Sequence, residues 1–202
     1  ATAPAADNTL PSNSRFYVEP NSDAAKQAVT DVKAGDLRGA LTMAELASWP
    51  EATWFTGGSP DQVSHQVSTL IRSARWQQAV PVLVAYDIPL RDCGQYSSGG
   101  APSDAAYRQW IAAFAAAIGQ ARAAVILEPD ALANLPQDCS ATTDPTGALT
   151  AARMADLRYA VSVLEAQPRT AVYLDAGNSQ WHSVGDIAQR LIDANVAATQ
   201  GF

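Results

Sequence analysis

Five acidic residues stand where apolar runs end. "VPVLVAYDIP" (80–89) leads to Asp87, with Asp92 just beyond it. "VILEPDALANL" (125–135) places Glu128 and Asp130 on either side of Pro129, and "TAVYLDAGN" (170–178) leads to Asp175. Crowded carboxylates cannot all ionise, so one of them keeps a proton near neutral pH and can serve as a general acid. Two chemistries use such a group. In glycoside hydrolysis one acid protonates the leaving oxygen while another group assists water or acts as nucleophile. In divalent-metal chemistry the same oxygens ligate a cation for phosphoryl or enolate reactions.

Other chemistries find less support. No Walker-type phosphate loop occurs, and the Gly-rich "SSGGAPSD" (97–104) reads as a mobile loop that opens a helix. There is no GxSxG nucleophile elbow, and the two histidines, His65 and His182, give little basis for a triad. Trp54, Tyr86, Tyr96 and Trp181 lie near the same run ends as the acids. Sugars stack their apolar faces on such rings.

The elements that must position these residues alternate along the chain. "RFYVE" (15–19), "ATWFT" (52–56), 80–89, "AAVILEP" (123–129) and 170–178 read as strands. Helical spacing fills 22–34, 59–78, the stretch after Ser103, 150–166 and 184–195, with Ser22 or Asn21 and Ser103 as caps. Continuous Val/Ile/Leu runs mean strands buried on both faces, the mark of a parallel sheet under helices. An α/β fold follows, in which ligands sit at the carboxyl ends of the strands. The acids are therefore expected on one rim.

Bulk properties narrow the partners. The chain has 202 residues and a net charge of −7, which argues against nucleic acid but not against a neutral sugar. No apolar run approaches the roughly 20 residues a bilayer requires. Cys93 and Cys139, the only cysteines, form either one bridge or two reduced thiols; their turn-like settings favour a bridge and an exported protein. Residues 1–14, rich in Ala, Pro, Ser, Thr and Asn, read as a flexible linker or the residue of a processed export segment, ahead of a domain over 15–202.

"YDIPLRDCGQYSSGGAPSDAAYRQWI", "ILEPDALANL" and "VYLDAGNSQW" together resemble successive signature blocks of glycoside hydrolase family 6. The resemblance implies a distorted, partial parallel α/β barrel and a secreted enzyme that cleaves β-1,4-glucan with inversion. It implies a monomer with no cofactor and no metal. By the same likeness Asp130 is the general acid, Asp92 keeps it protonated and belongs to the water chain, and Asp175 supports its pKa. Ser98 is the loop serine that helps hold the water, and Tyr86 distorts the sugar before the scissile bond. Trp54 and Trp181 are sugar-stacking positions, Cys93 and Cys139 a family disulfide, and Glu128 is structural.

Two departures from the family pattern set further expectations. Asn178 stands where the family has histidine, so weaker binding beyond the cleavage point is expected. The chain stops at "ATQGF", about where the family starts another strand, so a fragment lacking the last third of the domain is expected. A short loop from Cys93 to Pro102 favours an open groove and endo action. A glucan-binding remnant without turnover is the alternative, and a metal-dependent α/β enzyme a third reading.

Overall fold

In the computed structural model, which describes residues 8–140 and 142–202, helices begin where a short polar side chain replaces the carbonyl that the first turn lacks. Ser22 caps α1 (Asp23–Ala34) and Asp36 caps α2 (Leu37–Leu46). β1 (Thr53–Phe55) leads to α3 (Pro60–Trp76), where Ser59 and Gln62 form a reciprocal capping box. β2 (Val82–Ala85) precedes α4 (Asp104–Ile118), capped by Ser103, and β3 (Ala123–Leu127) precedes α5 (Ala148–Glu165). Asp144 accepts from the amides of Leu149 and Thr150 at the start of α5. β4 (Thr170–Leu174) and α6 (Val184–Asp193), capped by Ser183, complete the order.

The four strands form one parallel sheet in the order β1-β2-β3-β4. Each new strand is laid beside the last, without the reversal that marks a doubly wound sheet, so right-handed crossovers put the following helices on one face. This is the order of a barrel, and the sheet is not closed: β1 and β4 are its outermost strands, and the far side of β4 carries a single parallel bridge, Tyr173 to Gly201. Leu83, Val125 and Val172 are fully buried, under α3, α4 and α5 with Val67, Trp110, Phe114, Leu157 and Val161.

Register carries the fold into the site. Phe55 pairs with Ala85, Ala85 with Leu127, and Leu127 with Leu174. The last residues of all four strands therefore stand in one row, and Thr56, Tyr86, Glu128 and Asp175 follow them side by side.

Two elements differ from the sequence reading. "RFYVE" makes only a single bridge, Phe16 to Val80, because Pro81 follows on the partner and Pro20 ends the segment. The helix α2 was not anticipated; its Gly39 weakens the pattern, and its apolar residues Leu37, Leu41 and Leu46 face outward. Residues 1–7 of the expected linker lie outside the described residues. Asn8 is buried, and its amide group donates to Glu165 at 2.8 Å.

Candidate active site

The loops after β2 and β3 are held in unusual backbone conformations. Leu90, Asp92, Cys93, Glu128 and Asp130 all have positive φ, which side chains other than glycine seldom adopt. Only two other non-glycine residues among those described share this, Gln78 and Asn195. Such strain persists where surrounding contacts impose it, and it clusters at functional sites.

Glu128 supplies one of those contacts. It is 1% exposed, and its carboxylate accepts from the amides of Asp87 (3.0 Å) and Ile88 (3.1 Å). It thus ties the end of β3 to the loop after β2, as a structural acid. Burial, the largest influence, pushes its pKa up to about 7 against the lowering effect of those amides.

Three other acids converge. Asp175 Oδ1 accepts from the amides of Asp130 and Gly177, each at 2.8 Å. Asp92 Oδ2 accepts from the amide of Ser97 at 2.7 Å. Burial first, then the charges of Asp175 and Asp92, raise the pKa of Asp130. A carboxyl raised in this way by crowded neighbours can hold a proton and donate it. Asp87 does not join them. Strand alternation turns it to the other side of Tyr86, where burial lifts it to about 6 and it lines a separate cleft of about 450 Å³ with Gly57 and Gly100.

Aromatic rings flank the acids. Trp54, 54% exposed, sits edge-on to Tyr86 with ring centroids 5.6 Å apart. Tyr86 is buried, lies under the Arg91 guanidinium, and feels the charges of Asp92 and Asp130. On the other side Trp181, 51% exposed, packs at Gly177, where an added Cβ would meet its ring at 3.2 Å and Ala133 at 2.4 Å. Gly177 therefore permits that ring to sit beside Asp175. Asn178 shapes the same turn: its side chain accepts from the amide of Gln180 and its carbonyl from that of Trp181. Tyr96 and Ser98 are exposed on the loop after β2; Ser97, not Ser98, contacts Asp92.

Cys93 and Cys139 form a disulfide that joins the loops bearing Asp92 and Asp130. Sequence reasoning missed the arginines that support it. Arg190 donates to the carbonyl of Leu132 (2.8 Å) and to Asp138 (2.7 Å), and His182 contacts the carbonyl of Ala133 at 2.7 Å. Arg153 is buried against the same loop. Among the described residues no group of three or more His, Cys, Asp or Glu is arranged to hold a metal ion. A cavity of about 650 Å³ lies far from the acids, at the amino ends of the strands, lined by arginines such as Arg72 and Arg75.

The family model for glycosyl hydrolases family 6 matches residues 11–202. The chain belongs to this family. Endoglucanase 1 of Streptomyces halstedii is 39% identical over 202 residues, covering 99% of this chain and 60% of that protein. Endoglucanase 1 of Streptomyces sp. (strain KSM-9) is 38% identical over 196 residues, covering 96% of this chain and 52% of that protein. Among solved structures, the endoglucanase Cel6 from Mycobacterium tuberculosis, in complex with methyl-cellobiosyl-4-deoxy-4-thio-β-D-cellobioside, superposes with a TM-score of 0.81. It is 37% identical, and the match covers 95% of this chain and 61% of that one. The chain thus spans between half and two thirds of the length of these family 6 relatives.

Proposed function

We propose that this chain is the acid-bearing part of a secreted cellulase that cleaves internal β-1,4-glucosidic bonds with inversion. Asp130 is the general acid that protonates the leaving oxygen. Asp175 and Asp92 keep it protonated, and Asp92 takes up the proton of the attacking water through the water chain near Ser98. Tyr86 presses on the sugar before the scissile bond, while Trp54, Trp181 and Asn178 hold sugars on the two sides of it. The observation that carries the reading is the convergence of Asp92, Asp130 and Asp175 from three strand ends, with the pKa of Asp130 raised by burial and by the other two. The endoglucanase relatives favour internal cleavage. The disulfide suits an oxidising compartment outside the cell, where a polymer too large to import must be met. Among the described residues no helix is long and apolar enough to cross a membrane.

The test is Asp130→Asn, assayed by reducing ends released from carboxymethylcellulose or cellohexaose. General-acid catalysis supplies about 10²–10⁴-fold, and a loss of that size in a folded variant is expected. Unchanged turnover refutes the assignment of the acid. One observation favours a second reading, a glucan-binding module without turnover: the four strands do not close into a barrel. Cellohexaose affinity with no reducing ends from the wild-type chain supports that reading instead.

A further inference from the structure

Arg153 projects from α5 into the space between the two strained loops and is 4% exposed. Its Nη2 donates to the carbonyls of Pro89 (2.6 Å) and Leu90 (3.1 Å), on the loop that carries Asp92. Its Nη1 donates to the carbonyls of Ala131 (3.2 Å) and Asn134 (3.3 Å), on the loop that carries Asp130. One planar group therefore grips both loops, two carbonyls on each. Leu90 stands two residues before Asp92, and Ala131 one residue after Asp130. The geometry between the two nitrogens is rigid, so the spacing of the loops is set by the fork itself.

A packing role does not explain this choice of side chain. Taking a charge out of water is costly, and an apolar residue of similar volume fills a helix face without that cost. Here the charge is offset by Glu128 and Asp156. Among the described residues none of these four carbonyls accepts from a backbone amide, so the guanidinium is the donor that satisfies them.

We infer that Arg153 is a positioning residue for the reaction: its guanidinium fixes the gap between the Asp92 loop and the Asp130 loop, independently of the Cys93–Cys139 bridge. The inference deepens the hydrolytic reading and rests on it for its kinetic consequence, but the positioning has a readout of its own. If the gap relaxes, the Asp92 charge withdraws from Asp130, and the titration midpoint of Asp130 falls, while burial and Asp175 still hold it above the ordinary value. A shift of about 1 Å in reacting groups costs on the order of 100-fold in rate.

The experiment compares the full chain with Arg153→Met, Arg153→Lys and Cys93→Ser/Cys139→Ser. It follows the Asp130 carboxyl by carbon-13 NMR, cello-oligosaccharide hydrolysis, and folding by thermal unfolding. Arg153→Lys keeps the charge but cannot span four carbonyls with a planar fork, so it covers the case in which Arg153→Met does not fold. Both arginine variants are expected to lower the Asp130 midpoint and to lower kcat by about 100-fold with little change in KM. The double serine variant is expected to retain the raised midpoint. A folded arginine variant with the wild-type midpoint overturns the inference, as does loss of the raised midpoint in the double serine variant. If the wild-type chain releases no reducing ends, the hydrolytic reading fails, and the Asp130 titration still decides what Arg153 does.

Discussion

The amide of Asp130 donates to Oδ1 of Asp175 at 2.8 Å, so the proposed acid is seated by the acid of the neighbouring strand end. One oxygen of Asp175 does two jobs: it fixes the backbone that carries Asp130 and places a negative charge beside its carboxyl. Those jobs can be separated.

Asp175→Asn retains an oxygen for the amides of Asp130 and Gly177 but removes the charge. Asp130 then loses its second-largest cause of elevation, after burial, and its pKa falls. An acid must be protonated to act, so the alkaline limb of the kcat profile is expected to move to lower pH while the fold persists. A pH–rate series on the variant checks this; an unmoved limb removes Asp175 from the acid's electrostatics.

Glu128 links pH to stability. Its folded pKa of about 7 lies above the ordinary carboxylate value of 4.5, so the folded state binds the proton more tightly than the unfolded chain. Stability is therefore greatest below the unfolded value and declines as pH rises from about 4.5 to 7. Asp87, raised to about 6, adds to the same slope. Urea unfolding at a series of pH values is expected to show the decline, and Glu128→Gln to flatten part of it. A variant with the wild-type slope contradicts the assignment.

Trp54 and Trp181 are half exposed, so their truncation touches little of the core. If they stack on sugar rings, each loss removes about 1 kcal/mol of aromatic contact, or roughly fivefold in affinity. Calorimetric titration of Trp54→Ala and Trp181→Ala with cellohexaose measures it, with the unfolding temperature as control. Affinity unchanged in both variants excludes them as platforms.

Reduction of the disulfide opens a crosslink between residues 46 apart in sequence. Loop-closure entropy values such a link at about 4 kcal/mol. Guanidinium unfolding with and without reductant is expected to show a loss of that order. A loss near zero means that the arginine contacts already confine the two loops.

Much of this site was legible in the sequence. β2 and β3 are unbroken apolar runs, β4 is one from Ala171 on, and Asp87, Glu128 and Asp175 fall within two positions of the strand ends, where period and burial cease to demand hydrophobes. Ser22 and Ser103 announce their helices for the same reason that they cap them. The side on which Asp87 lies was not legible, because it depends on where pairing stops: with Ala85 as the last paired residue, Tyr86 and Asp87 turn to opposite sides. Arg153 and Arg190 were invisible for a different reason. Their partners are largely backbone carbonyls, which every residue carries, so no letter in the loops announces that a buried guanidinium is needed there.

The common end row of the four strands separates two kinds of requirement. Inside the row, side chains answer only to volume and pleat; past it, some, such as Glu128, tie neighbouring turns together and others answer to whatever molecule arrives. Because each strand lies next to its sequence neighbour, a segment following one strand can be exchanged for another without rethreading the sheet. Such grafting leaves Leu83, Val125 and Val172 untouched while the groove above them is rebuilt. Diversification of specificity on this scaffold is therefore a matter of replacing turns, provided the ties between them, Glu128, Arg153 and the disulfide, are kept.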